Sequence, residues 1–266
     1  MKNSIQIRNL GSSSSGNSTL IWTETDSILV DMGFSQRYMA ERFEEADVLF
    51  SSLRGVLITH LHNDHVNQAF LNKLIRNQIP VYLHEQMTPV FLQRYKVKSD
   101  TFIQTFGASS FDAAGFTVQG FEVPHDSPGG CFGFNLHRQA KKITIATDMG
   151  FPKNGLAEKF VDSDVIIVES NHDVQMLESS HRSYQLIDRI KQIGHLSNEQ
   201  CVQFLDDILK KSDKLPKAVL LAHLSAECNL PSLAQDGVQF LLDQWKYGET
   251  RLQVLKKNAA SETLRI

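Results

Sequence analysis

Four side chains that can bind a metal ion lie within the six residues of the segment HLHNDH. They are His60, His62, Asp64 and His65, and the apolar run GVLITH ends at the first of them. From an extended segment His60 and His62 would point the same way, while Asp64 and His65 would project from the following turn towards a second point. One short loop could therefore supply ligands to two adjacent metal ions. Without a metal, burying four ionisable groups at a strand end would cost free energy of folding.

Three further candidates each follow an apolar run and precede a turn: His125 in EVPHD, Asp148 in ITIATDMG and His223 in AVLLAHLS. The carboxyl ends of strands are where α/β proteins collect reactive groups. Singly, each is explained equally well as a hydrogen-bonded residue, but together with the HLHNDH segment they indicate one site. Imidazole and carboxylate donors without thiolates suit zinc, manganese or iron. We interpret three other histidines as ordinary hydrogen-bonded residues: His84, His137 and His181.

Strands and helices must position these residues, and the apolar pattern alternates between the two along the whole chain. We predict strands at 4–8, 18–22, 27–31, 55–60, 81–83, 116–123, 131–137, 142–147, 165–168, 218–221 and 251–255. We predict helices at about 35–45, 66–76, 85–95, 183–193, 197–209 and 233–245. No Pro/Gly/Ser-rich linker or long charged block divides the sequence, so we predict a single α/β domain over residues 1–266.

The composition excludes several other classes of protein. The 266 residues include 27 Lys and Arg against 30 Asp and Glu, and a formal net charge of −3 argues against coating nucleic acid by bulk attraction. No run approaches 18 consecutive apolar residues, and the N-terminus has no hydrophobic export signal. Three widely spaced cysteines indicate neither a disulfide framework nor a thiolate zinc cluster. We expect a cytoplasmic protein without a membrane partner; the sequence predicts no oligomeric state.

The order HxHxDH, a lone His, an Asp in a TDxG context and a late His resembles the metallo-β-lactamase superfamily over residues 5–225. The resemblance implies an αββα four-layer sandwich with a site for two divalent metal ions at one edge. It assigns His60, His62 and His125 to the first metal and Asp64, His65 and His223 to the second, with Asp148 bridging both. Asp31, in ILVDMG, matches an early Asp that supports the ligand loop, although a turn hydrogen bond would predict nearly the same geometry.

Two later segments, VESNHD and GHLSN, are similar to the nuclease branches of the superfamily. The resemblance implies that Glu169 and His195 pair beside the metals, where His195 contacts the scissile phosphate or protonates the leaving oxygen. Together with two further segments, GSSSSGNS and LAHLSAECN, they resemble the bacterial YycJ or WalJ group of this superfamily. That resemblance implies a DNA exonuclease acting from 5′ ends. As a hypothesis, a hydroxide shared by the two metals attacks phosphorus, and Asp64 holds both a metal and the proton of the nucleophile.

Other interpretations stay open. The same site could serve a small-molecule phosphodiesterase, or an ester or lactone hydrolase, because fold alone does not select the substrate. A catalytically idle scaffold is the third alternative. The segment Gly11–Asn17 would contact a phosphate or form only a hairpin turn, and His172 would contact phosphate or narrow the pocket. A groove for nucleic acid, or simply solvated surface, would account for five basic residues: Arg37, Arg54, Lys73, Arg76 and Arg182.

Overall fold

The computed structural model describes residues 4–97, 101–245 and 249–266. These residues form two compact units. The first comprises the described residues of Met1–Gly120 with Ser127–Phe132 and Lys256–Ile266, and the second comprises Phe121–Asp126 with the described residues of Gly133–Leu255. The prediction of a single domain over 1–266 stays a prediction. No helix among the described residues is long and apolar enough to cross a membrane.

The first unit is built on a seven-stranded sheet. Its strands are β1 (Gln6–Ser13), β2 (Gly16–Trp22), β3 (Ser27–Val30), β4 (Leu53–Leu57), β5 (Val81–His84) and β6 (Ile103–Phe106), with β14 (Leu264–Arg265) at the other edge. The order is β14–β1–β2–β3–β4–β5–β6. Pairing is antiparallel from β14 to β3 and parallel from β3 to β6. The parallel half matters for function, because its strands end at the same edge.

Three helices pack against this sheet: α1 (Gln36–Glu45), α2 (Gln68–Arg76) and α3 (Thr88–Arg94). The Ser35 side chain caps α1 and the Asn67 side chain caps α2. Their apolar faces join one buried core with the strands, including Phe43 of α1, Phe70 of α2 and Phe91 of α3. A short 3₁₀ turn, Phe50–Ser52, leads into β4.

The second sheet contains β7 (Phe111–Ala113), β8 (Phe116–Glu122), β9 (Phe132–Arg138), β10 (Lys141–Ala146), β11 (Val165–Glu169), β12 (Ala218–Ala222) and β13 (Arg251–Val254). Its order is β13–β12–β11–β10–β9–β8–β7. Strands β10 to β13 are parallel, whereas β9 and β10 form an antiparallel pair. The middle strands β11 and β12 are buried at every residue, as expected for a parallel sheet covered on both faces.

The helices of the second unit follow these strands. They are α4 (Val174–Glu178), α5 (Tyr184–Arg189), α6 (Asn198–Lys211) and α7 (Pro231–Gln244), with a 3₁₀ turn at Ala157–Lys159. A π-helical turn, Ile190–Gly194, extends α5 towards His195. Ser197 begins α6 with a reciprocal cap, in which its side chain and that of Gln200 each bond the other's backbone.

Two kinds of difference separate the predicted elements from the structure. The strand predicted over 55–60 ends at Leu57, because the Thr59 amide donates to the Asp31 carboxylate instead of to a neighbouring strand. Apart from the two 3₁₀ turns, four short elements lie where the sequence predicts none: β6, β7, β14 and α4. All four have five residues or fewer, so periodicity gives only a weak signal for them.

Candidate metal centre

The HLHNDH segment leaves the sheet of the first unit at the carboxyl end of β4. Asp31 leaves the neighbouring strand β3 at the same level, because Val30 pairs with Leu57 in parallel register. The chain then turns within the segment, where the amides of His65 and Val66 donate to the His62 carbonyl. This turn places the later donors, Asp64 and His65, beside the earlier pair.

The ring nitrogens of this loop face one another at short range. His60 Nε2 lies 3.1 Å from His62 Nδ1, and the two ring planes are 86° apart. His65 Nε2 lies 3.5 Å from Asp64 Oδ2. Both His60 and His65 are fully buried, so these polar atoms have lost bulk water. Both pairs, two imidazole nitrogens in one case and an imidazole nitrogen beside a carboxylate in the other, are donors that suit a divalent transition-metal ion.

Asp31 and Thr59 form hydrogen bonds that orient the HLHNDH loop. Asp31 Oδ2 accepts from His65 Nδ1 at 2.8 Å and from Thr59 Oγ1 at 2.8 Å, and Asp31 Oδ1 accepts from the Thr59 amide at 2.9 Å. Burial raises the pKa of Asp31, and the contacts to His65 and Thr59 act against this rise. Because His65 donates from Nδ1 here, the lone pair of the ring lies on Nε2, an atom that could bind a metal. Asp31 adopts φ 63°, a strained conformation of the kind found at functional sites.

In the second unit, three of the predicted residues lie at the carboxyl ends of adjacent parallel strands. Ala146 pairs with Val168, and Glu169 pairs with Ala222. Asp148 therefore follows β10, Glu169 ends β11 and His223 follows β12 at one edge of the sheet. His223 has φ 57°, and its carbonyl accepts from Asn171 Nδ2 at 2.7 Å, which holds this strained residue in place.

Glu169 joins two imidazoles at this edge. Its Oε1 lies 2.8 Å from His195 Nδ1 and 3.0 Å from His223 Nδ1, while its Oε2 accepts from the amides of Met149 and Leu196. Complete burial would raise the pKa of Glu169, but the His195 and His223 contacts outweigh it and hold the pKa below the usual glutamate value. A charged Glu169 fixes both rings with their Nε2 atoms directed away from it.

Asp148 and His125 complete the donors of the second unit. Asp148 Oδ1 lies 3.5 Å from His223 Nδ1, 3.7 Å from His195 Nδ1 and 3.9 Å from His125 Nε2. His125 donates from Nδ1 to the Gly194 carbonyl at 2.7 Å, so its Nε2 is the atom that faces Asp148. Donor atoms of Asp148, Glu169, His195 and His223 lie within 4.8 Å of one another. Carboxylates and imidazoles at this spacing can hold a divalent cation.

Other residues singled out from the sequence lie in less reactive settings. His172 is only 1% exposed, so it does not reach solvent for contact with a phosphate. The segment Gly11–Asn17 forms the β1–β2 hairpin, in which only Ser14 and Ser15 are exposed. Among the basic residues, three form ion pairs within their own unit: Arg37 with Glu41, Arg54 with Asp26 and Arg182 with Glu227. These pairs fit solvated surface charge.

Three further residues contact the loop of the first unit, and the sequence did not predict these contacts. Thr59 bonds Asp31 as described, Arg94 of α3 donates to the Leu61 carbonyl and to Asn63 Oδ1, and Asn17 Nδ2 lies 3.3 Å from Asp64 Oδ2. Thr59 precedes His60 directly, so its position in the chain was the one available signal. Arg94 and Asn17 lie 30 or more residues from the atoms they contact.

The chain is similar to known proteins along most of its length. The family model of the β-lactamase superfamily domain matches residues 26–223, and the chain belongs to this superfamily. Exodeoxyribonuclease YycJ of Bacillus anthracis is 29% identical over 244 residues, 90% of this chain and 89% of the relative. Exodeoxyribonuclease WalJ of Streptococcus pneumoniae serotype 2 is 29% identical over 237 residues, 85% of this chain and 83% of the relative.

A solved structure shares the fold. The metallo-β-lactamase fold protein YhfI from Bacillus subtilis superposes with a TM-score of 0.71 at 12% identity, covering 99% of this chain and 100% of that one. The predicted α/β fold of the metallo-β-lactamase type is thus confirmed, as is the prediction of a hydrolase of this superfamily. The fold implies divalent metal ions.

Proposed function

We propose that this protein is a DNA exonuclease that acts from 5′ ends. The coarser function, a metal-dependent nuclease or phosphodiesterase, follows from relatives named as exodeoxyribonucleases that align along most of the chain. The choice of DNA follows the names of these relatives, and the 5′ direction follows the resemblance to the YycJ and WalJ group. The observation that supports cleavage of a phosphodiester is the 2.8 Å contact between Glu169 and His195, at the strand edge that also carries Asp148 and His223. A carboxylate-supported imidazole suits proton transfer to a leaving alkoxide.

We further propose that seven side chains hold two ions of zinc, manganese or iron. The ligands are His60, His62 and His125 for one ion, Asp64, His65 and His223 for the other, and Asp148 for both. Support comes from the family motif and from the ring tautomers. The Nδ1 atom of His65 donates a hydrogen bond to Asp31, that of His125 to the Gly194 carbonyl and that of His223 to Glu169. A ring that donates from Nδ1 carries its lone pair on Nε2, the tautomer that a histidine binding a metal through Nε2 requires.

The residues of the chain divide the chemical work. When bound, divalent ions supply an activated water and positive charge against the phosphate. Asp64 accepts the proton of the attacking water. His195, held through Nδ1 by Glu169, contacts the scissile phosphate and protonates the leaving oxygen from Nε2. Because Glu169 stays charged, it stabilises His195 when that ring carries a proton.

The test uses the purified chain loaded with Mn²⁺ or Zn²⁺, and DNA and RNA, single- and double-stranded, labelled at the 5′ or the 3′ end. Release of labelled mononucleotide first from 5′-labelled DNA is the expected result. Asp64→Ala and His65→Ala should each lower the rate about 10²-fold or more while the circular dichroism spectrum is unchanged. His181→Ala, at an exposed histidine, is the matched control.

Three outcomes would contradict the proposal. Full activity of both Asp64→Ala and His65→Ala would remove the assigned ligands. Hydrolysis of bis(4-nitrophenyl) phosphate without any cleavage of nucleic acid would favour a small-molecule phosphodiesterase. An absence of turnover on every substrate by the metal-loaded protein would favour the idle scaffold. The cytoplasmic location expected from the sequence stays a prediction.

A further inference from the structure

The side chain of Asn17 connects the β1–β2 hairpin to two of the proposed ligands in the first unit. Asn17 is 2% exposed. Its Nδ2 atom lies 3.1 Å from His65 Nε2 and 3.3 Å from Asp64 Oδ2. Through these two contacts the serine-rich hairpin reaches side chains of the HLHNDH loop.

Hydrogen bonds within the hairpin fix which end of the amide faces the ligands. Asn17 Oδ1 accepts from the Ser13 amide at 3.1 Å and from Ser12 Oγ at 2.9 Å. A backbone amide can only donate, so the oxygen of Asn17 must face Ser13. Nδ2 donates one hydrogen to the Ser13 carbonyl at 2.9 Å and directs the other towards Asp64 and His65.

The backbone of Asn17 is anchored to the same loop. Its amide donates to the Asp64 carbonyl at 2.7 Å, and its own carbonyl accepts from the Gly33 amide at 3.0 Å. With both ends of the residue bonded, the side chain has little freedom to turn away from the ligands.

The donor character of Nδ2 matches the two acceptors that it faces. His65 donates a hydrogen bond from Nδ1 to Asp31, so the lone pair of the ring lies on Nε2, the atom that faces Asn17. Asp64 Oδ2 is also an acceptor. Asn17 and Asp31 therefore stabilise the same ring tautomer from opposite nitrogens, and that tautomer can bind a metal through Nε2.

We propose that Asn17 is a positioning residue, which holds the Asp64 carboxylate and the His65 ring in their ligand arrangement through its Nδ2 amide. If His65 Nε2 bound an ion, Asn17 Nδ2 would still have Asp64 Oδ2 as an acceptor and would continue to restrain that carboxylate. The proposal rests on the proposed function only in taking Asp64 and His65 as metal ligands. In this role the β1–β2 hairpin positions ligand side chains without contacting substrate.

The test replaces the donor without changing the shape of the side chain. Asn17→Asp keeps an acceptor for Ser12 and Ser13 but presents an oxygen to the ligands, and Asn17→Ala removes the group. The matched controls are Asn9→Asp and Asn9→Ala. Asn9 is an equally buried asparagine of β1 whose Nδ2 bonds the Ser18 carbonyl and Thr19 Oγ1, not the ligand loop.

Zinc affinity is measured by competition with a chromophoric chelator, beside urea unfolding and the kcat and KM for DNA. Both Asn17 variants should bind one zinc equivalent about tenfold more weakly or worse, and lower kcat more than they change KM. The Asn9 variants should lose stability to a similar degree yet bind zinc as the wild type does. Wild-type zinc affinity in folded Asn17→Asp and Asn17→Ala would overturn the proposal.

A second measurement covers the case in which the Asn17 variants do not fold. Imidazole ¹⁵N spectra of the metal-free wild type report the tautomer of His65 directly. Hydrogen on Nδ1 with a hydrogen-bonded Nε2 is expected, and hydrogen on Nε2 would overturn the proposal. A wild type that binds zinc but cleaves no DNA, with weaker zinc binding in the Asn17 variants, would reject the proposed nuclease and keep the positioning role.

Discussion

His172 shows how the surroundings of one residue decide its chemistry. It lies three residues after Glu169 and is 1% exposed, and its Nδ1 has no hydrogen-bond partner among the described residues. Burial lowers the pKa of His172 to about 4, although the nearby Glu169 charge acts in the opposite direction. The ring is therefore neutral across the pH range in which an ordinary histidine titrates.

Acidification should destabilise the protein through His172. The unfolded chain takes up this proton near pH 6.5 and the folded chain only near pH 4, so the free energy of unfolding falls as pH drops between these values. The contribution is on the order of 3 kcal/mol. Urea unfolding of the metal-free protein at pH 7 and pH 4.5 measures it. His172→Gln should show a smaller pH dependence than wild type, whereas His181→Gln, at an exposed position, should not.

Single residues also show where sequence reasoning stops. The proposed ligands could be identified from the sequence because they either cluster in HLHNDH or follow an apolar run, and both are local patterns. Asn17 carries no such pattern, since it sits in a Ser/Gly-rich run and its partner Asp64 is 47 residues away. His172 was open to a role in phosphate contact until its burial was known. Contacts and burial depend on the fold, and the sequence alone does not place them.

At the scale of elements, the ligand loop depends on close packing against the segment after β3. A Cβ atom built on Gly33 would lie 1.8 Å from the Asp64 carbonyl oxygen and 2.8 Å from the Asn17 amide nitrogen. Both are backbone atoms and cannot rotate away. Any side chain at Gly33 must therefore displace the loop that carries Asp64 and His65.

Gly33→Ala should lower both stability and metal affinity. We expect a loss of about 3 kcal/mol in the free energy of unfolding, and zinc binding at least about tenfold weaker. Gly107→Ala is the control, because a Cβ there meets its nearest atom, Glu85 Oε2, at an ordinary 3.5 Å. Its effect should stay within about 0.5 kcal/mol. Equal unfolding curves and zinc affinities for the two variants would show that the loop adjusts freely.

The elements found from the sequence share a physical reason. The buried parallel strands β11 and β12 are continuous apolar runs, and α6 has both an apolar stripe and a cap, so local patterns mark them. Strand β14 has only two residues and pairs with β1 from the far end of the chain, Gln6 with Arg265. The end of β4 is set by a side chain of another strand, Asp31. Local periodicity cannot report either kind of long-range pairing.

At the scale of the whole chain, charge restricts how a nucleic-acid substrate could be held. The formal net charge is −3, and several of the candidate basic residues are already paired with acids. Bulk attraction for DNA is therefore weak. Two divalent cations would add four positive charges and bring the formal net charge to +1, concentrated at the proposed ligands. Bound metal ions would therefore supply most of the electrostatic attraction for phosphate.

The same ions should stabilise the folded chain, because the unfolded chain has no assembled set of ligands. An ion present at about 100 times its Kd adds about 2.7 kcal/mol, so two ions should raise the unfolding temperature by on the order of 10 °C. Thermal unfolding of chelator-treated protein, with and without added Zn²⁺ or Mn²⁺, measures the shift, and KCl at equal ionic strength is the control. Asp148→Ala, which removes the carboxylate assigned to both ions, should lose more than half of the shift. If neither ion raises the unfolding temperature above the KCl value, the seven residues do not form a metal centre.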